Sequence, residues 1–130
     1  MLLKTNNDTN NNILTILYLL NEADIVIAYN GVRFDFKKLN YRFIVNGLNP
    51  PHCFRVIDPL QTFRSRFGFD SNKLDYVNGL LGISCKTETN FQLWVDCVSG
   101  DEIALDKMQQ YNKNDVVILE HNYKILRPWI

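Results

Sequence analysis

The 130-residue sequence has no excess of charge of either sign, since 14 Lys and Arg are balanced by 14 Asp and Glu. A protein that is drawn to polyanions or acidic membranes by its overall charge is therefore excluded, and any such contact must be local. Cysteine is also scarce. Cys53, Cys85 and Cys97 form no C-x-x-C pair, which argues against a zinc knuckle and indicates a reducing compartment with inert thiols.

Long hydrophobic runs are missing as well. The most apolar early stretch, Ile13 to Leu20, is too short to span a bilayer and follows an asparagine tract instead of a basic segment. These features predict a soluble, cytoplasmic protein with no membrane partner. The sequence also has no G-x-x-x-x-G-K-[ST] and no G-x-S-x-G, so it does not show the phosphate-binding loop or the nucleophile elbow.

What is present is an ordinary globular composition, with 46% hydrophobic and 22% charged residues, and a length that fits one domain. Residues 1–12 are rich in Asn, Thr and Asp and are predicted to be a flexible lead-in. Residues 13–130 are predicted to form the folded domain.

Helical and strand-like patterns alternate along that domain. The predicted order is a helix over 13–22, a strand over 24–29 that is buried on both faces, a helix over 35–45, a strand over 54–58, a helix entered through Asp58-Pro59, a helix capped by Ser71 and ended by Gly82, a loop or strand over 91–98, and a helix over 100–126. In the last helix, the predicted buried side consists of Ile103, Met108, Val116, Leu119, Tyr123 and Leu126. This alternation is typical of an α/β fold.

Tyr111 and Asp115 are the first candidates for chemistry. They stand four residues apart in the last predicted helix and therefore project from the same face. Asp115 is followed directly by four apolar residues, so it lies at the margin of the buried stripe and needs a partner for its charge. An ion pair or cap within the protein and a metal ligand are both open, and spacing alone favours the former.

Asp35 is the second candidate, in the segment "YNGVRFD" that follows the first predicted strand. Ligand sites in open α/β sheets form outside the carboxyl ends of strands. Asp is also a common helix N-cap, which is the better interpretation of Asp35 when it is taken alone.

Taken together and in order, these segments resemble the DEDD superfamily of 3′-to-5′ exonucleases, which have a ribonuclease-H-like fold. "DIVIAYNGVRFDFKKL" is similar to the family's second motif, and "YNKND" to its third motif in the Tyr-x-x-x-Asp form of the tyrosine subgroup. "VIDPLQTF" and "SNKLDYVNGLLGISCK" resemble the connecting strand and a helix that ends in Leu-Gly. The resemblance covers residues 13–126 and implies an α/β, ribonuclease-H-like fold.

The family's first motif, Asp-x-Glu on the first strand of the sheet, is not found, and Asp8 is followed two positions later by Asn10 instead of Glu. The resemblance therefore implies a fold truncated at its amino-terminal strands. In a complete member, four carboxylates hold two Mg²⁺ or Mn²⁺ ions about 4 Å apart. The resemblance assigns Asp35 and Asp115 as metal ligands and, with Tyr111, as catalytic residues, Tyr111 orienting the attacking water. With two of four carboxylates, metal binding is expected to be weak.

The resemblance also implies contacts with a 3′ end of single-stranded DNA or RNA. Asn30, Arg33, Phe34 and Lys86 are the predicted nucleic-acid-binding residues, although isolated basic residues are more often simply solvated. The predicted function is 3′-to-5′ exonuclease activity that needs a complementing polypeptide with the first motif, or a second copy of this chain. An inactive ribonuclease-H-like module for nucleic-acid binding or protein assembly, and an unrelated small α/β binding domain, are the alternatives.

Overall fold

The computed structural model describes residues 6–83 and 89–130 of the chain. Its elements, in chain order, are α1 (Asn6–Glu22), β1 (Ile25–Ile27), α2 (Asp35–Val45), β2 (Arg55–Ile57), α3 (Pro59–Arg66), α4 (Leu74–Leu80), α5 (Phe91–Ser99), α6 (Glu102–Leu126) and a closing 3₁₀ turn (Arg127–Trp129). The described chain is thus mostly helical, with one small parallel sheet of the order β1-β2. None of its described helices combines the length and the hydrophobicity needed to cross a membrane.

The chain divides into two compact units, one reaching to Thr62 and the other starting at Phe63. In the first unit, Ile25 pairs with Arg55 and Ile27 with Ile57 in parallel register. A βαβ connection of this kind needs a crossover, and α2 supplies it. The core beside this sheet is built from α1 and α2, with Ile13, Leu20 and Phe43 buried together.

The predicted strands are confirmed in position but are shorter than the apolar runs that indicated them. The expectation that β1 is buried on both faces is wrong, because Ile25 is 49% exposed. A strand is covered on both faces only when helices pack on both sides of a wider sheet. β1 has only β2 as a partner among the described residues.

The helices of the first unit agree with the predictions at their carboxyl ends. α2 has the predicted bounds, and it ends at Asn46 with Gly47 in the left-handed conformation (φ 67°). α1 ends at Glu22 as predicted, but it begins at Asn6, upstream of the predicted start at Ile13. The asparagines of residues 6–12 are weak helix formers, each costing less than about 0.7 kcal/mol relative to Ala, so an established helix can extend through them.

In the second unit, residues 91–98 form a helix, so the prediction of a loop or strand is wrong. The Asn90 side chain accepts a hydrogen bond from the backbone N–H of Leu93 at 2.8 Å, which caps α5. Gly100 ends the helix in the left-handed conformation (φ 88°). Cys97 is buried against Ala104 and Met108 of α6. An N-cap, a glycine at the end and one buried face fix the helix in spite of its β-forming residues.

The long last helix is confirmed, but its buried side differs from the predicted one. Its buried residues are Ala104, Met108, Ile118, Asn122 and Leu126. By contrast, Ile103 is 71% and Val116 is 66% exposed. The buried positions follow a spacing of three and four residues that also includes Tyr111 and Asp115. The pattern was not recognised in the sequence because one of the buried positions is occupied by the polar Asn122.

The predicted N-cap of α4 is also corrected. Lys73 is the N-cap residue of α4, and it makes no side-chain capping hydrogen bond. The Ser71 hydroxyl instead accepts a hydrogen bond from the backbone N–H of Lys73 at 3.3 Å, in the turn before the helix. The end of the helix agrees with the prediction, since Gly82 has a left-handed backbone conformation (φ 69°).

Candidate functional site

Tyr111 and Asp115 lie next to each other on one face of α6, as their spacing of four residues predicted, and they also form a hydrogen-bonded pair. The Tyr111 hydroxyl donates to the Asp115 carboxylate. Both side chains are half-buried, because they lie on the face of α6 that also carries the buried Met108 and Ile118. The helix therefore holds an acidic group and a phenol together at the edge of the buried surface.

Their surroundings change the acidity of both groups. Partial burial raises the pKa of Asp115 above its usual value, and the negative charge of Asp75 acts in the same direction, against the hydrogen bond from Tyr111. Partial burial also raises the pKa of Tyr111, as do the charge and the hydrogen bond of Asp115. The raised pKa of Tyr111 keeps its phenol protonated, so that the hydroxyl can donate a hydrogen bond to Asp115.

The pair opens into a cavity of about 560 Å³ within the second unit. α4 and α6 supply most of its polar wall, and the residues that line it are Leu74, Asp75, Asn78, Gly79, Ile83, Thr89, Tyr111, Asn114, Asp115 and Ile118. Asp75 was not singled out by the sequence patterns, because it is one of many acidic residues in short amphipathic helices. The cavity presents carboxylate, amide and hydroxyl oxygens together.

At the wall of this cavity, α4 and α6 are joined by a buried pair of amides. Asn122 Nδ2 donates to Asn78 Oδ1 at 2.7 Å and to the carbonyl oxygen of Ile118 at 3.2 Å. Both asparagines are almost completely buried, at 0% and 1% exposure. Buried amides require such partners, so this pair fixes the relative register of the two helices that line the cavity. The sequence carries no signal for it beyond two asparagines among apolar residues.

The second candidate group lies in the first unit, in the turn between β1 and α2. Asn30 follows the strand with a left-handed backbone conformation (φ 57°). Its carbonyl oxygen accepts a hydrogen bond from Phe34 N at 3.2 Å, and the carbonyl of Gly31 accepts from Phe36 N at 2.9 Å. These bonds lead the chain directly into α2, so that the turn and the first residues of the helix form one ordered segment.

Asp35 is the first residue of α2 and not its N-cap, which is Phe34. The capping interpretation of Asp35 is therefore not supported. Its side chain is exposed. Partial desolvation nevertheless raises its pKa, and the nearby charge of Asp58 acts in the same direction. Asp35 is available to solvent at the carboxyl end of β1, where ligands bind in α/β sheets.

The predicted nucleic-acid-binding residues of this turn are also accessible. Arg33 is exposed, and the Phe34 ring is 60% exposed with Lys38 Nζ lying 6.0 Å from its centroid. The Asn30 side-chain oxygen, by contrast, is buried without a hydrogen-bond partner. Lys86, the fourth predicted residue, lies outside the described residues.

The two groups belong to different units, Asp35 to the first and Asp115 to the second. Their convergence on one site stays a prediction. Within residues 6–83 and 89–130, no three His, Cys, Asp or Glu side chains are grouped so that they could hold a metal ion. The donors at both places are oxygens, which suit Mg²⁺ or Mn²⁺ and not zinc, and Asp115 and Asp35 are the residues that could hold such an ion.

Comparison with known families gives a match along nearly the whole chain. A family model described as RNase H superfamily matches residues 2–127, nearly the whole chain. The searches of the curated proteins and of the solved structures returned no significant match.

Proposed function

This chain belongs to the ribonuclease H superfamily, and from that membership we propose that it is the main part of a 3′-to-5′ exonuclease of the DEDD tyrosine subgroup. The reaction is hydrolysis of the terminal phosphodiester bond of single-stranded DNA or RNA. The observation that carries the proposal is the hydrogen-bonded Tyr111–Asp115 pair at the oxygen-lined cavity of α4 and α6. Membership in the superfamily supports a nuclease-like function, and this pair supports the specific reaction.

The proposed roles of the residues are those that the resemblance implies, and their contacts support them. The Tyr111 hydroxyl donates to the Asp115 carboxylate, and this contact keeps the phenol beside the carboxylate, where it can orient the attacking water. A carboxylate that accepts this bond keeps its remaining lone pairs for an ion or a water molecule. A divalent Mg²⁺ or Mn²⁺ ion, when bound, lowers the pKa of water and neutralises charge on the phosphate. Asp115 and Asp35 are the ligands that this chain contributes to it.

The turn after β1 supplies the substrate contacts in this proposal. Arg33 and Phe34 are exposed beside Asp35 and thus can meet a phosphate and a base. Arg forms charge-assisted hydrogen bonds with phosphate oxygens, and an aromatic ring stacks on unpaired bases. Neither contact depends on the base sequence, as a nuclease that acts on chain ends requires.

The free edge of β1 supports a place for the first motif in this proposal. The Asp24 carbonyl and the Ala28 N–H both bond to β2, at 2.9 and 3.1 Å. Backbone groups alternate in direction along a strand, so those of Ile25 and Ile27 point to the opposite edge. No strand pairs with that edge in the part of the chain that the structure describes. We propose that a polypeptide segment carrying Asp-x-Glu adds a strand there and completes the metal site.

The proposal is tested by digestion of 5′-labelled single-stranded DNA and RNA with Mg²⁺ or Mn²⁺, because a 5′ label stays on the strand while it is shortened from its 3′ end. The chain is assayed alone and together with the segment encoded upstream of it. We expect shortening from the 3′ end only with the segment, and loss of at least about a hundredfold in rate for Asp115→Ala, in line with the removal of one stabilising group of an active site. Asp106→Ala is the matched control, because Asp106 is exposed on the same helix, α6. It lies nine residues before Asp115, which places it on the opposite side of the helix.

The outcomes separate the candidate functions. Activity that survives Asp115→Ala contradicts the assigned roles. Digestion by the chain alone, in a dimeric fraction, identifies a second copy as the completing partner. Absence of digestion under every condition, together with retained binding of single strands, supports the inactive module for nucleic-acid binding or assembly.

A further inference from the structure

Asp58 is a buried carboxylate to which the site described above assigns no role. It is 8% exposed and directly follows Ile57, the last residue of β2. Its Oδ1 accepts two backbone hydrogen bonds, from Leu60 N at 3.0 Å and from Asn30 N at 2.9 Å. Oδ2 is buried without a hydrogen-bond partner. Burying a carboxylate costs free energy unless the group is hydrogen-bonded, and here the two backbone N–H groups supply those bonds. The residues that donate them are therefore the parts of the chain that Asp58 holds in place.

The first bond is an ordinary helix cap, since Leu60 is the second residue of α3. The second bond is of another kind, because it spans 28 positions of the chain and reaches the turn after β1. There it holds the N–H of Asn30, the one described residue other than glycine with a positive φ (57°). A left-handed residue is disfavoured unless its surroundings determine it.

The consequences of this bond extend along the turn. Gly31 follows, and a Cβ atom placed there would lie 2.4 Å from the Cβ of Ala28, so the chain is tightly folded back on itself. The carbonyl of Asn30 then accepts from Phe34 N, the residue directly before Asp35. The place and direction of Asp35 therefore depend on the conformation of Asn30.

We propose that Asp58 is a positioning residue: through its hydrogen bond to the Asn30 N–H, it sets the left-handed turn that presents Asp35 at the carboxyl end of β1. Its importance for catalysis rests on the proposed function, whereas its effect on the turn does not. The property that matters is an acceptor oxygen at this place, and the negative charge is not required.

Three substitutions separate the two bonds. Asp58→Asn keeps an acceptor oxygen of the same reach. Asp58→Ser keeps a residue type that is favoured as a helix cap, so we expect it to retain the bond to Leu60 N, whereas its shorter side chain is expected to lose the bond to Asn30 N. Asp58→Ala removes both bonds. Asp101→Ala is the matched control, because Asp101 also caps a helix, α6, by accepting from Ala104 N at 2.8 Å, but belongs to the second unit.

The first measurement is amide hydrogen exchange of the full chain by NMR spectroscopy. In Asp58→Ser, we expect Asn30 to exchange about tenfold faster or more while Leu60 stays protected, as expected for the loss of a bond to a charged acceptor. Asp58→Asn should keep both amides protected, and Asp101→Ala should leave Asn30 unchanged. Unchanged exchange of Asn30 in both Asp58→Ser and Asp58→Ala overturns the inference, and if the alanine variant does not fold, the serine variant decides.

The second measurement connects the turn to activity. In the completed enzyme, activity should fall in Asp58→Ser and be rescued in Asp58→Asn, in parallel with the protection of Asn30. Loss of activity in Asp58→Asn with Asn30 still protected contradicts a positioning role, because the charge would then be needed. An inactive parent chain refutes the proposed function but leaves the exchange result, and thus the effect of Asp58 on the turn, to be judged independently.

Discussion

Asp115 shows how a single side chain links the stability of this protein to its chemistry. Its folded pKa is raised, so the folded protein holds the Asp115 proton to a higher pH than the unfolded chain, whose reference value is 3.8. The contribution of this group to stability is thus greatest below pH 3.8 and decreases as the pH rises through the folded pKa. At neutral pH, the ionised carboxylate costs stability. Such a cost is common at sites that select a group for function.

The substitution Asp115→Asn should therefore stabilise the protein at neutral pH. The amide keeps an oxygen for the Tyr111 hydroxyl but carries no charge, and the gain should be below about 1 kcal/mol because water still screens a half-buried group. Urea unfolding at a series of pH values measures it. The gain should disappear below pH 3.8, where the parent Asp115 is also neutral. Asp106→Asn, on the exposed side of α6, should show no such gain, and a less stable Asp115→Asn at pH 7 contradicts the argument.

Two glycines allow a second test at the same scale. A Cβ atom at Gly31 would approach that of Ala28 to 2.4 Å, whereas one at Gly79 would meet nothing within 4 Å. Gly31→Ala should lower the free energy of unfolding by about 1–3 kcal/mol through overpacking. Gly79→Ala, inside α4, should instead raise it by up to about 1 kcal/mol through helix propensity. Equal effects in urea unfolding are inconsistent with the tight turn after β1.

At the level of elements, α5 is the helix that could not be recognised from its amino-acid composition. Its sequence, "FQLWVDCVS", contains residues that favour strands, and it is helical because both ends are specified. Asn90 caps the first turn, and Gly100 ends the last one. Between them, Cys97 packs against Ala104 and Met108 of the adjoining helix. Packing and capping thus override local propensity here.

This explanation predicts that Asn90→Ala lowers the stability of the protein by about 1 kcal/mol, since the Leu93 N–H loses its acceptor. Chemical unfolding followed by circular dichroism provides the measurement. Asn112→Ala is the control, because Asn112 is exposed in the interior of α6. There, the same substitution should be neutral or raise stability by about 0.5 kcal/mol. A neutral Asn90→Ala means that packing alone maintains α5.

At the scale of the whole molecule, the proposed function depends on the distance between Asp35 and Asp115 in the folded protein. The proposed function requires that Asp35 of the first unit and Asp115 of the second share one ion site. Paramagnetic Mn²⁺ should then broaden the amide resonances of both segments at the same concentration, and Asp115→Asn should weaken the broadening at both. Separate titrations, with only one segment affected by each substitution, contradict a shared site. Asp106→Asn serves as the control for nonspecific binding to α6.

Much of the architecture follows from local patterns that act over a few residues. The positions of the two strands, the bounds of α2 and the neighbouring Tyr111 and Asp115 were predictable, because periodicity, turn residues and helical spacing are short-range properties. The resemblance carried by "YNGVRFD" and "YNKND" likewise anticipated the superfamily.

Other features depend on contacts between residues far apart in the chain. The turn after β1 has its conformation because Asp58 reaches Asn30, and α4 and α6 line one cavity because Asn78 meets Asn122. Ile103 and Val116 proved to be exposed because the neighbouring elements cover another side of α6. A hydrogen bond between distant residues, or the choice of which helix face is buried, has no periodic signature, so only the folded chain reveals it.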